Sequence, residues 1–581
     1  MKKLLMEKKG LLFGQKMHFS NASFGLIVIL IFGFVLRVWG INFGLPYQFH
    51  QDEPIVVNHA LAYGTGDLNP HFFAIPPFSS YFLFLIYVSY FLIGKVFGLF
   101  LTSNDFVLAF FNNPSTFYIL GRLFLGVIPG TLCIFFTYRL YRNIFPSKYG
   151  ALFASAIIAF SFLNVSDSHY IYTDMLMLLS VILTMLRIFS MYKNPTMKNY
   201  ILSAAMIGIA ASVKYNAAIL AVPFIVSHLI ITAENKEKII NKKIIFAFIF
   251  IPALFFITNP FAALDFKFFI NSVLNQAGAS GYTGLFHHMK YSLFQGLGFI
   301  VVALGLSGFF LTLVKERRTF LLLYSFPVVF YLHLIFLSQS FARYALPLIP
   351  FFAVASGWFL FEYLLRRAAY NFIKIIIIIF SFLLFVPMVV KAIYIDKLFT
   401  SEDTRIESAN WIKKHLMLDA RIAVDNTFFR PAIEQNLKQI EQKYELIGRQ
   451  QGLSKIKSKK INMMLKLRKS PGYYIYFLSN NPQAQGQFFS TAPAINFDIN
   501  KLKQNNIKYV VVNYAIRNKD AENFYSQLKE NSELLASFSP YKDNSIRLSY
   551  DAIATTSMPI LFREIESRRK NGPALEIYRL N

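Results

Sequence analysis

Two carboxylates, Asp52 and Glu53, stand side by side in "LPYQFHQDEPIVVNHALAYGTGDLNPHFFAIPP", Leu45 to Pro77, directly after the first strongly apolar segment of the chain. Neighbouring carboxylates at such a border can take a proton from a substrate hydroxyl or hold a cation. They can equally cap a helix. Pro54 suits a first turn that needs no amide donor, the helical pattern runs to about Tyr63 and Gly64 stops it, so both acids fall at a helix N-terminus. His50, His59, Asp67 and His71 crowd the same stretch with a spacing that matches no tight zinc signature. A second polar group, "NVSDSHYIYTDM", brings Asp167, His169 and Asp174 into a turn between two apolar runs, where ionisable side chains are costly unless paired, solvated or used.

Cations accompany these acids. Arg122 lies near the start of an apolar run, Lys214 and Tyr215 occupy a tight turn in "ASVKYNAA", and Arg343 and Tyr344 stand in "SQSFARYALPLIP". Each basic side chain could simply snorkel to a membrane interface. A phosphate-bearing ligand would account for them better, because the positive-inside bias disfavours Lys214 and Arg343 on the outer side to which the topology below assigns them. A long loop, residues 259–288, could cover such a site and ends in His287 and His288. No P-loop, dinucleotide glycine motif, GxSxG elbow or HExxH motif occurs, so nucleotide-driven and protease chemistry lose support.

The elements that must position these groups are membrane helices. The chain is 55% hydrophobic and 17% aromatic with only 15% charged residues, and its mean hydropathy is +0.44; this composition is that of a polytopic α-helical membrane protein. The formal charge of +27 would suit nucleic acid, but the basic residues gather in short loops between apolar runs, so membrane lipids and not nucleic acid are the expected partner. The single cysteine, Cys133, rules out an intrachain disulfide and any cysteine metal cluster. Apolar runs at 22–41, 117–138, 150–165, 172–190, 199–213, 216–232, 243–260, 292–314, 320–338, 343–364 and 372–393 predict about eleven or more spans.

Lysines before the first run, in "MKKLLMEKKGLLFGQK", place the N-terminus in the cytoplasm as an uncleaved first span of a cytoplasmic (inner) membrane protein. Basic loops at 139–148, 187–198, 234–243, 315–318 and 366–374 then fall on the cytoplasmic side, and the loop 42–116 falls outside. That parity holds only if residues 79–101 do not cross once; they are read as a helix lying in the outer interface, the alternative being a hairpin that also uses 105–111. Residues 1–395 thus make the membrane domain. From 396 to 581 the pattern becomes that of an extracytoplasmic soluble α/β domain, with a helix over 403–416 and strands at 420–426 and 507–514, closing with "PALEIYRL" at 573–580.

The ordered set "FHQDE", "TGDLNPHFF" with "PP" after it, Arg122 in "LGRLF", "DSHYIYTD", "SVKYNAA" and "RYALPLIP" resembles the GT-C membrane glycosyltransferases of family 39, relatives of protein O-mannosyltransferases and lipid A aminoarabinose transferases. The resemblance covers roughly residues 20–395. It implies an inverting transfer of a sugar from a polyprenyl-phosphate donor to a lipid, glycan or protein acceptor at the outer membrane surface. By it, Asp52 is the general base and Glu53 positions it or shares the site. It also implies that Asp167 and Asp174 orient substrate or hold a metal; charge and side, rather than the resemblance, make Arg122, Lys214 and Arg343 candidates for stabilising the departing phosphate, with His50, His169, Tyr215 and Tyr344 as further contacts. A divalent metal, Mg or Mn, is a candidate cofactor on Asp52, Glu53 or Asp167. The competing expectation is a transporter or flippase of an amphipathic substrate, which would carry its ionisable residues near the middle of the bilayer.

Overall fold

In the computed structural model the protein is described over residues 21–277, 281–337, 341–425, 430–442, 445, 465, 471–479, 492–513, 521–543 and 562–581. The basic N-terminal stretch, from which the first span's orientation is read, lies outside the described residues. Helices dominate up to Thr400, and a six-stranded sheet follows. Among the described residues seven helices are long and apolar enough to cross a membrane, or eight when the bent pair Met289–Leu297 and Phe299–Lys315 counts as one span. The chain is a multi-pass membrane protein. That pair bends by 103°, and the bend falls on Gly298, whose φ of +83° an L side chain would resist.

The apolar runs read from the sequence form helices, several of them broken. Residues 150–165 split into Lys148–Phe160 and Phe162–Asp167 around Ser161. The break leaves the Ile158 and Ala159 carbonyls for the guanidinium of buried Arg37, which donates to them at 2.9 and 3.1 Å and so ties the first helix, Asn21–Val38, to its neighbour. Residues 79–101 form the 19-residue helix Phe78–Val96. After a turn comes Ser103–Asn112, opened by a Thr102–Asp105 capping box. Phe91 and Tyr90 pack against Phe106 at 5.4 and 5.7 Å, so the two helices fold back on one another.

The last membrane helix, Phe385–Thr400, runs past residue 396 and delivers the chain to the soluble domain. There β1 (Arg421–Val424), β2 (Tyr474–Leu478), β3 (Ala494–Ile495), β4 (Tyr509–Asn513), β5 (Ser532–Phe538) and β6 (Leu575–Leu580) lie in the order β3-β2-β1-β4-β6-β5. The first four are parallel and β6 and β5 join antiparallel. The Thr404–His415 helix covers one face, as its sequence pattern predicts. Asn571 donates to the Leu398 carbonyl at 2.7 Å, and Phe562 and Ile565 pack with Phe43, Phe162 and Phe399, so the soluble domain is docked on the membrane helices at the end that carries the Asp52 loop.

Candidate functional site

The helix expected from Pro54 onward forms over Glu53–Tyr63, with Asp52 at its N-cap position and Gly64 closing it. Asp52 makes no side-chain cap bond. Its Oδ2 instead accepts from Arg343 Nη2 at 2.8 Å, across 291 residues of sequence. Among the described residues Oδ1 accepts no hydrogen bond, and the side chain stays 26% exposed while Arg343 is 4% exposed. The adjacent carboxylate behaves oppositely. Glu53 is wholly buried and grips Arg122 through two parallel bonds, Nε to Oε1 and Nη2 to Oε2, each 2.8 Å.

Arg122 spends its remaining Nη1 donors on the Ile41 and Phe43 carbonyls at 2.7 and 2.9 Å and lies 3.8 Å above the Phe43 ring. Glu53 Oε1 also accepts from the Ile171 amide at 3.2 Å. This arrangement leaves Glu53 to position Asp52, one of the two roles expected of it, and engages the Arg122 donors that were expected at the phosphate. With no exposed atom and donors matched to acceptors, the pair is an anchor that joins the Asp52 loop, the Ser115–Arg122 helix and the 167–174 turn. Bidentate geometry of this kind holds position as well as charge.

Arg343 and Lys214 are the cations that reach the site. Lys214 follows the Met197–Val213 helix in extended backbone, and its Nζ meets Asp174 Oδ1 at 2.6 Å above the Tyr344 ring. Asp174 Oδ2 lies 3.4 Å from Arg343 Nε, so one carboxylate bridges both cations. Asp167 is buried and acts electrostatically on Arg343. Arg343 is sandwiched between the Tyr172 and Phe341 rings at 4.9 and 4.8 Å. Sequence reasoning overlooked those two aromatics; the alternation of Tyr170 and Tyr172 in "DSHYIYTD" was the available signal. Tyr215 donates to the Phe73 carbonyl at 3.1 Å and holds the loop after Pro70 rather than the charged cluster.

The histidines support the scaffold. His50 is buried, stacks on Tyr170 at 4.3 Å and accepts the Asp52 amide through Nδ1 at 3.3 Å. Burial lowers its pKa, against the opposing pull of Asp52 and Glu53, so it is neutral and able to accept. His169, expected at the substrate, points instead at the Val165 and Trp39 carbonyls, 2.9 and 3.0 Å away. Burial brings its pKa down to about 4, against the pull of the two carbonyls, so the neutral ring donates to only one of them. The folded state therefore resists a proton that the unfolded chain accepts near pH 6.5, and stability should fall as pH drops from about 6.5 towards 4, by roughly 2 kcal/mol at pH 5 from this residue. Unfolding of wild type and His169→Gln in detergent at pH 7 and pH 5 checks this, the variant losing that part of the slope.

His59 stacks on Phe72, and His71 pairs with Asp67 in the open at 2.9 Å. His288 bonds Ser292 at 3.0 Å, and His287 packs beside it against Tyr291. Among the described residues no group of three or more His, Cys, Asp or Glu side chains could hold a metal ion. Of the candidate ligands, Glu53 is bound by Arg122 and Asp52 by Arg343.

The 167–174 turn rests on a π-helical turn, Leu123–Val127, directly after Arg122. A Cβ on Gly126 would collide with the Ser168 carbonyl oxygen and crowd that of Tyr170. Gly126→Ala should therefore displace the segment carrying Asp167 and Asp174 and lower stability by about 1–3 kcal/mol, the cost of overpacking against backbone; thermal unfolding in detergent would report it.

These features lie on the GT-C fold of membrane glycosyltransferases. Residues 105–260 match the model of the dolichyl-phosphate-mannose-protein mannosyltransferase family. The oligosaccharyltransferase of Archaeoglobus fulgidus in its apo form superposes with a TM-score of 0.50 at 10% identity, over 97% of this chain and 89% of that one. ArnT from Cupriavidus metallidurans bound to undecaprenyl phosphate gives 0.47 at 12% identity, over 88% of this chain and 95% of that one. No curated protein sequence matches the chain.

Proposed function

We propose that the protein transfers a sugar, with inversion, from a polyprenyl-phosphate carrier to a hydroxyl-bearing acceptor at the outer face of the cytoplasmic membrane. Asp52 is the general base and Arg343 with Lys214 receives the phosphate. The observation that carries this reading is the Asp52 carboxylate: it stands at a helix N-terminus without capping it, keeps one oxygen open and is held by a cation from a distant part of the chain. A polyprenyl phosphate is already a leaving group, so transfer needs no nucleotide. It needs a base on the acceptor side of the sugar and positive charge beside the phosphate.

In this scheme Asp52 Oδ1 takes the acceptor proton as the hydroxyl oxygen bonds to the anomeric carbon. The bond from that carbon to the phosphate oxygen breaks on the opposite face, and its electrons stay with the phosphate, next to Arg343 and Lys214. One displacement suffices, so no second carboxylate is required as nucleophile. The bridging of both cations by Asp174 keeps them in place before the donor arrives. What opposes a transporter is the position of the acidic residues in turns at one end of the helices.

Membranes carrying the protein, supplied with radiolabelled polyprenyl-phosphate sugars, test the reading. Wild type should consume one donor, and Arg343→Met should lose about 10²–10³ of that activity because the developing phosphate charge is left without its closest donor. Equal rates in both would remove Arg343 from the phosphate.

A further inference from the structure

We infer that the soluble domain is a working part of the site, and that Arg405 is a positioning residue that sets the Asp52 loop through the ring of Phe49. This rests on the transferase reading for its functional consequence but on geometry for the contact. Arg405 opens the domain's first helix, Thr404–His415. Its guanidinium carbon sits 3.8 Å from the centroid of Phe49, one residue before His50. The side chain is almost wholly buried and is clamped by Asp403, Nε to Oδ1 at 2.9 Å and Nη2 to Oδ2 at 2.7 Å.

The clamp is itself tied down from both domains. The Arg405 carbonyl accepts from Ala432 at 3.0 Å, Thr404 bonds the Asn571 and Pro573 carbonyls, and Asn571 reaches Leu398 on the last membrane helix. From Phe49 the path to the base is short. His50 stacks on Tyr170 and accepts the Asp52 amide. Tyr170 meets Phe43 and Phe399 edge-on at 5.6 and 6.1 Å, and Phe43 stacks on Phe399 at 4.7 Å.

A buried ion pair is a poor source of stability, since an apolar pair of similar volume often does as well, but it fixes one orientation where an apolar contact would slide. A guanidinium held flat over an aromatic face adds its own directional attraction. Placing that pair on the residue next to His50 locks the backbone that carries Asp52. Just before Phe49, Gln48 holds a φ of +59°, in the left-handed region, and its Oε1 accepts from the Tyr118 hydroxyl at 2.9 Å.

The test is the double variant Asp403→Asn with Arg405→Met in the full-length protein, which removes the pair without leaving a lone buried charge and keeps a capping side chain at position 403. It is read beside Phe49→Leu and Arg405→Lys. Hydrogen–deuterium exchange should speed up in residues 45–53 in the double variant and in Phe49→Leu, with β1 and β4 unchanged. In transfer assays kcat should fall by about tenfold to a hundredfold, as a misplaced base requires, while KM for the donor stays within about twofold; Arg405→Lys, which keeps the cation, should restore part of kcat. Unchanged exchange in 45–53 with wild-type kcat would overturn the inference, as would faster exchange spread evenly through the sheet. If wild type transfers no sugar at all, the transferase reading fails, and exchange in 45–53 still decides whether Arg405 holds the loop.

Discussion

Replacing Asp52 by asparagine should abolish sugar transfer almost completely, by about 10²–10⁴-fold, the range that a positioned general base contributes. The substitution suits the purpose because the amide oxygen can still accept from Arg343 Nη2, now 2.8 Å from the carboxylate. The Asp52 side chain caps no helix, so the start of the Glu53–Tyr63 helix loses nothing. Expression, thermal unfolding and donor binding should stay close to wild type while turnover collapses. The assay is the labelled donor panel with the two proteins at matched levels. A variant within about threefold of wild type would mean that Asp52 abstracts no proton. Asp174 would then be the next carboxylate to test, although it is engaged by both Lys214 and Arg343.

The second large effect is on stability. Arg122→Met, or Glu53→Gln, should cost about 3–5 kcal/mol, because each leaves a buried charge facing a partner that no longer neutralises it. The structure makes the cost hard to avoid: neither side chain reaches solvent, and Arg122 also satisfies the Ile41 and Phe43 carbonyls, which lose their donors in the methionine variant. Thermal unfolding in detergent and the yield of monodisperse protein measure it. Changing both residues together, Glu53→Leu with Arg122→Met, should recover part of the loss, since an apolar pair leaves no isolated charge. Should Arg122→Met fold as wild type but raise donor KM strongly, Arg122 would return to the phosphate and the anchor role would be lost.

The contrast between Asp52 and Glu53 shows how far the sequence goes. Two adjacent acids before a proline predict a helix start, and the helix forms there, because proline's missing amide and fixed φ act locally. The same local rules place the Thr404–His415 helix and strands β1 and β4 close to where periodicity puts them. Which acid faces the open side and which the core is another matter. At a helix N-terminus successive side chains point in different directions, and only the arrival of Arg122, 69 residues further on, makes burial of Glu53 affordable.

His169 gives the same lesson in reverse. It sits between Asp167 and Asp174 in sequence, yet its ring turns to the Trp39 carbonyl, 130 residues away. No spacing rule reports that, because the carbonyl is offered just past the end of the first helix, which only the packing of helices brings near.

By itself the sequence determined a polytopic, basic-looped membrane chain with a soluble α/β tail, and the short list of charged residues from which any site must be drawn. Hydropathy and proline geometry act over a few residues and survive without tertiary context. Tertiary structure alone decided the pairing: Asp52 with Arg343, Asp174 between Lys214 and Arg343, Glu53 locked to Arg122, and Arg405 of the soluble domain over Phe49. The physical reason is that a charge at a membrane border is costly until a partner of opposite sign reaches it, and the partners come from segments that meet only when the helices pack.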